Sequence, residues 1–403
     1  MLERTAKGGG AHTPPAIDSD FYGIGGSLDA DERALVQRVR EFTDTEVEPI
    51  VVEHWAKAEF PHQLIPKLSA LGIAGLGYQG FGCPGGTDLL NGMVTMSLAR
   101  GDPSIGTFFG VHSGLSMGSI YLCGSDEQKE RWLPAMARLE KIGSFGLTEP
   151  DVGSAASRGM ATTCERTGDE WVINGQKKWI GNATFADNNV IWAKDVDSGE
   201  VKGFVVDKAN PGFKAEKLER KISLRIVQNA LITLTDCRVP EADRLQKAES
   251  FRDTAKVLRM TRAGVAWLAA GTQVGAYEHA LRYAQTRHQF DRPIAGFQLV
   301  QDLLVRMLGN VTATQTMMLQ LATLQARGEA HDEHSALAKA FTTVRMRETV
   351  GWARELLGGN GILIDEHVGR YVGDAEAIYS YEGTREMNTL IVGKAITGLS
   401  AFV

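Results

Sequence analysis

The chain has 403 residues, 43% of them hydrophobic and 23% charged, with a formal net charge of −6. That much apolar side chain fills two or three packed units without a staple, and the acidic balance argues against a surface that tracks nucleic-acid phosphates. Four scattered cysteines, Cys83, Cys123, Cys164 and Cys237, form no C-x-x-C, which argues against a zinc ribbon or disulfide framework and for a reducing compartment.

Residues 1–17 carry Gly8-Gly9-Gly10 and Pro14-Pro15 and read as a disordered tail without the apolar stretch of a secretory signal. No apolar run reaches about 18 residues, so no membrane span is expected. The end, Ala401-Phe402-Val403, is not a peroxisomal address, and the cytoplasm is the expected location. Asp29 and Glu32 form a capping-box pattern ahead of Leu35, Val39 and Phe42 at helical spacing. Ile65, Leu68 and Leu71 mark a second helix that ends in a glycine-rich segment, and helix resumes through Met93, Leu98 and 113–122. Residues 18–145 are thus expected to be helical. From 146 to 250 the texture is β. Asn174-Gly175 reads as a hairpin turn, Asp197-Ser198-Gly199 separates strands near 190–193 and 203–206, and Leu231 to Thr235 add another. From 251 to 403 the helical period returns. Leu299, Leu303, Met307 and Val311 form one stripe, with Leu304 and Leu308 beside it, and a helix from Asp332 stops at Gly358-Gly359. The order is an N-terminal helical domain, a β-barrel-like middle domain and a C-terminal four-helix bundle: mainly α with a central β domain.

Gly75-Leu76-Gly77-Tyr78-Gln79-Gly80 satisfies G-x-G-x-x-G, but helix precedes it and more Gly and Pro follow, so it reads as a loop rather than a dinucleotide fingerprint. His331 and His334 sit beside Asp332 and Glu333 in a charge-rich helix start, and no further metal ligand is placed near them. His112 suits either a ligand contact or a satisfied, half-buried histidine. Trp171 and Trp192 read as β core.

Three segments point beyond fold. Leu147-Thr148-Glu149-Pro150-Asp151-Val152-Gly153-Ser154 joins small residues to hydroxyls in a turn-prone run that can bring donors to a polar ring or phosphate. Gly358-Gly359-Asn360-Gly361 is otherwise a helix cap, and Tyr381-Glu382-Gly383-Thr384 otherwise a turn around one carboxylate. With Trp179-Ile180-Gly181-Asn182 and Arg287-His288-Gln289-Phe290 followed by Gln298, their order and spacing resemble the acyl-CoA dehydrogenase family over nearly the whole chain.

That resemblance implies FAD, an acyl-CoA thioester substrate and Glu382 as the catalytic base. It places Leu147, Thr148, Gly153, Ser154, Trp179, Ile180 and Gly181 at the flavin. Arg287, Phe290, Gln298, Glu355, Gly358 and Gly359 would reach the FAD of a neighbour in a homotetramer. Thr384 and Glu386 complete the cofactor contacts. Ser154, Arg262, Tyr381 and Gly383 fall to the substrate, and an electron-transfer flavoprotein would take the electrons. Some members carry the base beside the matching arginine instead. Thr261 stands there in this chain and cannot serve.

Two departures matter. Ala395-Ile396-Thr397-Gly398 resembles the glutaryl-CoA dehydrogenase branch, yet Ala99 and Gly106 stand where that branch holds the distal carboxylate with a glutamate and an arginine. A neutral short acyl chain fits better, since a buried unpaired carboxylate is costly. Gly181, with the stretches 181–187 and 225–229, resembles plant short-chain acyl-CoA oxidases, which keeps O₂ as an alternative acceptor. A non-catalytic helical scaffold would purify colourless, and a flavin monooxygenase of like architecture would not need Glu382.

Overall fold

The computed structural model describes residues 16–154 and 159–401. All but the last two residues of the expected tail, and the terminal Phe402-Val403, lie outside them.

Seven α-helices build the first part: α1 (Ala30–Phe42), α2 (Glu48–Lys57), α3 (Ile65–Ala70), α4 (Asp88–Gly101), α5 (Pro103–Phe109), α6 (Met117–Cys123) and α7 (Asp126–Ala137). Asp29 and Glu32 close their capping box at the start of α1. Between α5 and α6 the chain stays helical but widens to a π-turn over Gly110–Ser116, a departure often found where a helix borders a functional site. The glycine-rich segment 75–80 is a loop with no strand before it, so the phosphate-cradle geometry is absent there.

The sheet follows, with β1 (Gly143–Gly146), β2 (Thr163–Thr167), β3 (Glu170–Ile180), β4 (Asn188–Asp195), β5 (Val201–Asp207), β6 (Phe213–Lys217) and β7 (Ala230–Pro240). Its order is β1-β4-β2-β3-β7-β6, with β5 on the other edge of β4. Because β1 and the start of β2 share one side of β4, both parallel to it, the sheet curls. The Asn174-Gly175 hairpin is not there. The β2–β3 turn falls at Gly168-Asp169, and Asn174-Gly175 runs inside β3 at a register shift against β7. Asn174 Oδ1 accepts the Asp236 N–H at 2.8 Å, and a Cβ on Gly175 would stand 2.6 Å from Thr162 Oγ1. Glycine serves close approach here rather than a turn.

The C-terminal helices are α8 (Phe251–Thr286), α9 (Gln298–Ala326), α10 (Asp332–Leu356), α11 (Val368–Ser380) and α12 (Arg385–Thr397). α8 runs through the middle, packed on α4 of the first part and on α10. Two glycines permit that closeness: a Cβ on Gly92 would meet the Trp267 ring at 2.2 Å, and one on Gly271 the Met96 carbonyl at 2.2 Å. One apolar core therefore unites both helical parts, while the inner face of the sheet forms a second. The expected stripe on α9 is only half internal. Met307 and Val311 are buried, but Leu299 is 81% exposed. α10 ends as expected, with Gly358 left-handed at φ 59°.

Candidate active site

The segment Tyr381–Thr384 joins α11 to α12. Thr384 caps α12 by accepting the Met387 N–H at 3.3 Å. Upstream of the cap, Glu382 and Gly383 are both left-handed, at φ 57° and 82°. Glycine adopts that region freely and glutamate does not, so the backbone of Glu382 is strained and must be held by its surroundings.

Its surroundings come from three helices. Thr261 on α8 donates its hydroxyl to Glu382 Oε1. Lys339 on α10 donates to the Gly383 carbonyl at 2.5 Å, and Asn388 on α12 donates to the same carbonyl at 2.9 Å and to that of Thr384 at 2.9 Å. The Tyr381 hydroxyl lies 3.2 Å from Thr107 Oγ1 on α5. Burial raises the pKa of Glu382, and the Thr261 hydrogen bond and the charges of Arg262 and Lys339 pull only partly the other way. A carboxylate so placed is a stronger base than a solvated one.

Arg262 is brought beside this group: its buried guanidinium is paired with Asp332 at the start of α10, while its Nε has no partner among the described residues. Ala99 and Gly106 face each other across α4 and α5, and a Cβ on Gly106 would stand 3.1 Å from that of Ala99. That wall is apolar and closely packed.

A second cluster sits on the sheet. The Lys178 N–H donates to the Thr148 carbonyl at 2.8 Å, and buried Lys177 Nζ to the Leu147 carbonyl at 3.1 Å and to Glu149 Oε1 at 2.9 Å. Glu149 also accepts the N–H groups of Ala161 at 2.6 Å and Thr162 at 2.9 Å. These bonds fix the run 147–154 beside Trp179. There β3 bulges, Trp179 takes φ 69°, and its indole is 56% exposed. An exposed aromatic on a strained bulge, next to a pinned loop, is a platform for a flat ring. Gly153 and Ser154 are exposed, and a Cβ on the former would meet nothing within 4 Å. Ile180 follows Trp179 on the same strand. It is buried in the sheet core. Leu147 is likewise buried. At Gly181 a Cβ would stand 3.2 Å from Val111 Cγ2 and 3.5 Å from Val227 Cγ1, so these valines already border the space a side chain would take.

A third group lies apart. Arg287, Phe290 (86% exposed) and Gln298 flank a small hairpin after α8, and Glu355, Gly358 and Gly359 close α10, all exposed. Asn360 Nδ2 donates to the Tyr283 hydroxyl at 3.0 Å and ties the two together. No hydrogen bond among the described residues joins them to Glu382 or Trp179. Glu386 is exposed and paired with Arg385 at 2.8 Å.

The remaining candidates are structural. His112 is buried between the Met136 carbonyl and the Gly143 N–H, each at 3.0 Å, and burial pushes its pKa down to about 4. His334 Nδ1 accepts the His331 N–H at 2.9 Å and caps α10. Sequence reading overlooked Lys339, Lys177 and Glu149 as site residues and set Thr261 aside. A single lysine in Ala336-Leu337-Ala338-Lys339-Ala340-Phe341 was the one available signal.

A buried carboxyl with a raised pKa in a helical bundle, and an exposed aromatic platform on a curled sheet, are the two features of this molecule that suit flavin chemistry. The chain matches the family models for the N-terminal, middle and C-terminal domains of acyl-CoA dehydrogenase at residues 29–140, 144–237 and 251–397. It belongs to the acyl-CoA dehydrogenase family, whose cofactor is FAD. A crystal structure of glutaryl-CoA dehydrogenase from Mycobacterium smegmatis superposes with a TM-score of 0.91 at 37% identity, covering 96% of this chain and 99% of that one. A second structure of a glutaryl-CoA dehydrogenase from that organism is in complex with FADH2. The 3-(aryl)acrylate reductase of Clostridium sporogenes is 32% identical over 90% of this chain and 97% of its own. The short-chain specific acyl-CoA dehydrogenase of Rattus norvegicus mitochondria is 30% identical over 89% and 88%. Among the described residues, no helix is long and apolar enough to cross a membrane.

Proposed function

We propose that this enzyme forms the α,β double bond of a short, neutral acyl-CoA, with Glu382 taking the α-proton and an electron-transfer flavoprotein receiving the electrons. The observation that carries the reading is the Glu382 carboxyl itself, raised in pKa by burial and held in a strained turn by three helices. Bound FAD supplies the two-electron acceptor for the β-hydride.

The residues of this chain do the rest. Trp179 and the run 147–154 would orient the ring. Gly383, left-handed and without a side chain, lets the backbone approach a thioester. The α-proton of a thioester is weakly acidic, so a base whose pKa is moved toward neutrality is well matched to it. Exposed Arg287, Phe290, Gln298, Glu355, Gly358 and Gly359 are suited to complete a neighbouring subunit's cofactor site in a homotetramer. The apolar Ala99–Gly106 contact supports a neutral chain over glutaryl-CoA, because a distal carboxylate would find no cation on that wall. Val111 and Val227 crowd Gly181 and support the flavoprotein acceptor over O₂.

The test is a scan of saturated acyl-CoA from C4 to C16, with glutaryl-CoA included and hydrogen peroxide followed with and without an electron-transfer flavoprotein. The expected outcome is a maximum at the short end, negligible glutaryl-CoA turnover and little peroxide. Preferred turnover of glutaryl-CoA, or peroxide formed one-for-one with product, would overturn the corresponding part.

A further inference from the structure

We propose that Lys339 is the positioning residue of the base, its ammonium clamping the Gly383 carbonyl so that Glu382 keeps its left-handed turn and its carboxyl at Thr261. The inference rests on the reading of Glu382 as the base and deepens it.

Lys339 lies on the inner face of α10 with 0% of its surface exposed. A buried ammonium is expensive unless something compensates it, and a methionine of similar length would fill the same space at less cost. Among the described residues its hydrogen-bond acceptor is the Gly383 carbonyl, at 2.5 Å. That carbonyl closes the pair of left-handed residues Glu382 and Gly383, and Asn388 Nδ2 reaches it too, at 2.9 Å. Two donors on one oxygen fix the peptide plane after Gly383, one residue beyond Glu382, and the Thr261 hydroxyl fixes the Glu382 side chain. A non-glycine residue at φ 57° persists only where its neighbours over-determine it, and these three donors do so.

The charge acts as well. Glu382, Arg262 and Glu386 act electrostatically on the ammonium, with Asp332 paired to Arg262. Burial brings Lys339 down to about 8, opposed by the carboxylates of Glu382 and Glu386 and helped by Arg262. The cation in turn lowers the pKa of Glu382, against the larger upward push of its burial. Lys339 thus limits how far burial raises the base.

Two variants separate the parts. Lys339→Met removes donor and charge. Lys339→Gln keeps an N–H for Gly383 but removes the charge. Each is purified as the FAD-loaded full chain, and kcat and KM for butyryl-CoA are measured against pH, together with flavin content. In both, the acid limb of kcat should move up by about one pH unit, a tenfold loss on that limb. Lys339→Met should in addition lose about 10- to 100-fold in kcat at the plateau, with KM within about threefold, as expected when orientation fails rather than binding. Lys339→Gln should recover most of that plateau loss. A merely structural lysine would lower flavin content or stability and leave the acid limb in place. Wild-type limbs and plateaus in both variants, or failure of both to fold with flavin, would overturn the inference. Glu382→Gln is the reference: if that variant retains turnover, the base assignment fails; if it is inactive while Lys339→Met behaves as wild type, only the role of Lys339 fails.

Discussion

Two buried lysines stand beside glutamates in this molecule, and they leave their neighbours in opposite states. At the sheet, Lys177 touches Glu149 directly at 2.9 Å, and Glu149 gathers two backbone N–H groups besides. In the bundle, Lys339 bonds a main-chain carbonyl instead and acts on Glu382 only through space. Burial weighs on both carboxyls, yet Glu149 is held below the ordinary glutamate range by its donors, whereas Glu382 is raised above it. Both lysines are pushed down to about 8 by burial. The sheet pair is nonetheless intact at neutral pH, because three donors satisfy the carboxylate whatever the lysine alone would prefer. The same two residue types thus make an anchor in one place and the proposed base in the other. They differ in how deeply the carboxyl is buried and in how many donors meet it, the ammonium among them at Glu149 and not at Glu382.

The largest test of that contrast is catalytic. Glu382→Gln should lose ~10²–10⁴-fold or more in turnover, the contribution of a general base. It should keep a normal flavin-to-protein ratio, since the loop 147–154 is held elsewhere. The next test is structural. Lys177→Met leaves Glu149 as a buried carboxylate without its cation, a loss of about 3–5 kcal/mol when one partner of a buried pair is removed. Thermal unfolding should shift down by several degrees, and the purified protein should be pale, because Leu147 and Glu149 both lose a bond to that lysine. If Glu382→Gln loses flavin, or if Lys177→Met stays yellow but fails to turn over, the two roles are wrongly divided.

The sequence made the anchor and the base unequally legible, for physical reasons. Helix caps and periodic stripes are local, so Asp29, the start of α8 and the stop at Gly358 were readable, while the Asn174-Gly175 turn was not. Turn propensity is local too, but here a tertiary approach to Thr162 claimed the glycine and the chain turned at Gly168. Glu382 was readable because its whole motif is contiguous. Lys339 lies 44 residues from Gly383, and Thr261 lies 121 from Glu382. Their roles exist only once α8, α10 and the α11–α12 turn are packed together. Thr261 is instructive. Set aside as unable to be a base, it is the residue that holds one. Arg262 has a partner the sequence did not show, Asp332, 70 residues away.

A smaller effect sharpens the electrostatic half of the comparison. Thr261→Val removes the one hydrogen bond to the Glu382 carboxyl among the described residues, a bond that favours its charged form. A net hydrogen bond is worth about 0.5–1.5 kcal/mol, so the acid limb of kcat should rise by roughly 0.4–1 pH unit, with the plateau at higher pH little changed. Thr261→Ser should restore the wild-type limb. The corresponding change at the sheet, Thr162→Ser, keeps the backbone donor to Glu149 and should leave the profile untouched.

The smallest effect is on stability, and its sign separates the two carboxyls. Glu149 has a folded pKa below its unfolded value. Its contribution is therefore present above the unfolded pKa and lost as pH falls through the folded one. Glu382 has a folded pKa above its unfolded value. Its contribution is full below the unfolded pKa and is lost as pH rises through the folded one, because the native state holds a proton that the unfolded chain releases. Glutamine does not titrate. The melting temperature of Glu382→Gln minus that of the wild type should therefore grow as pH rises from below the ordinary glutamate range through the raised value of Glu382, by about 2 °C or less in a chain of this size. The same difference for Glu149→Gln should run downward over the acid range. If the two differences share a sign, the lysine at the base is behaving like the lysine at the anchor, and contact between the charged groups is not what distinguishes them.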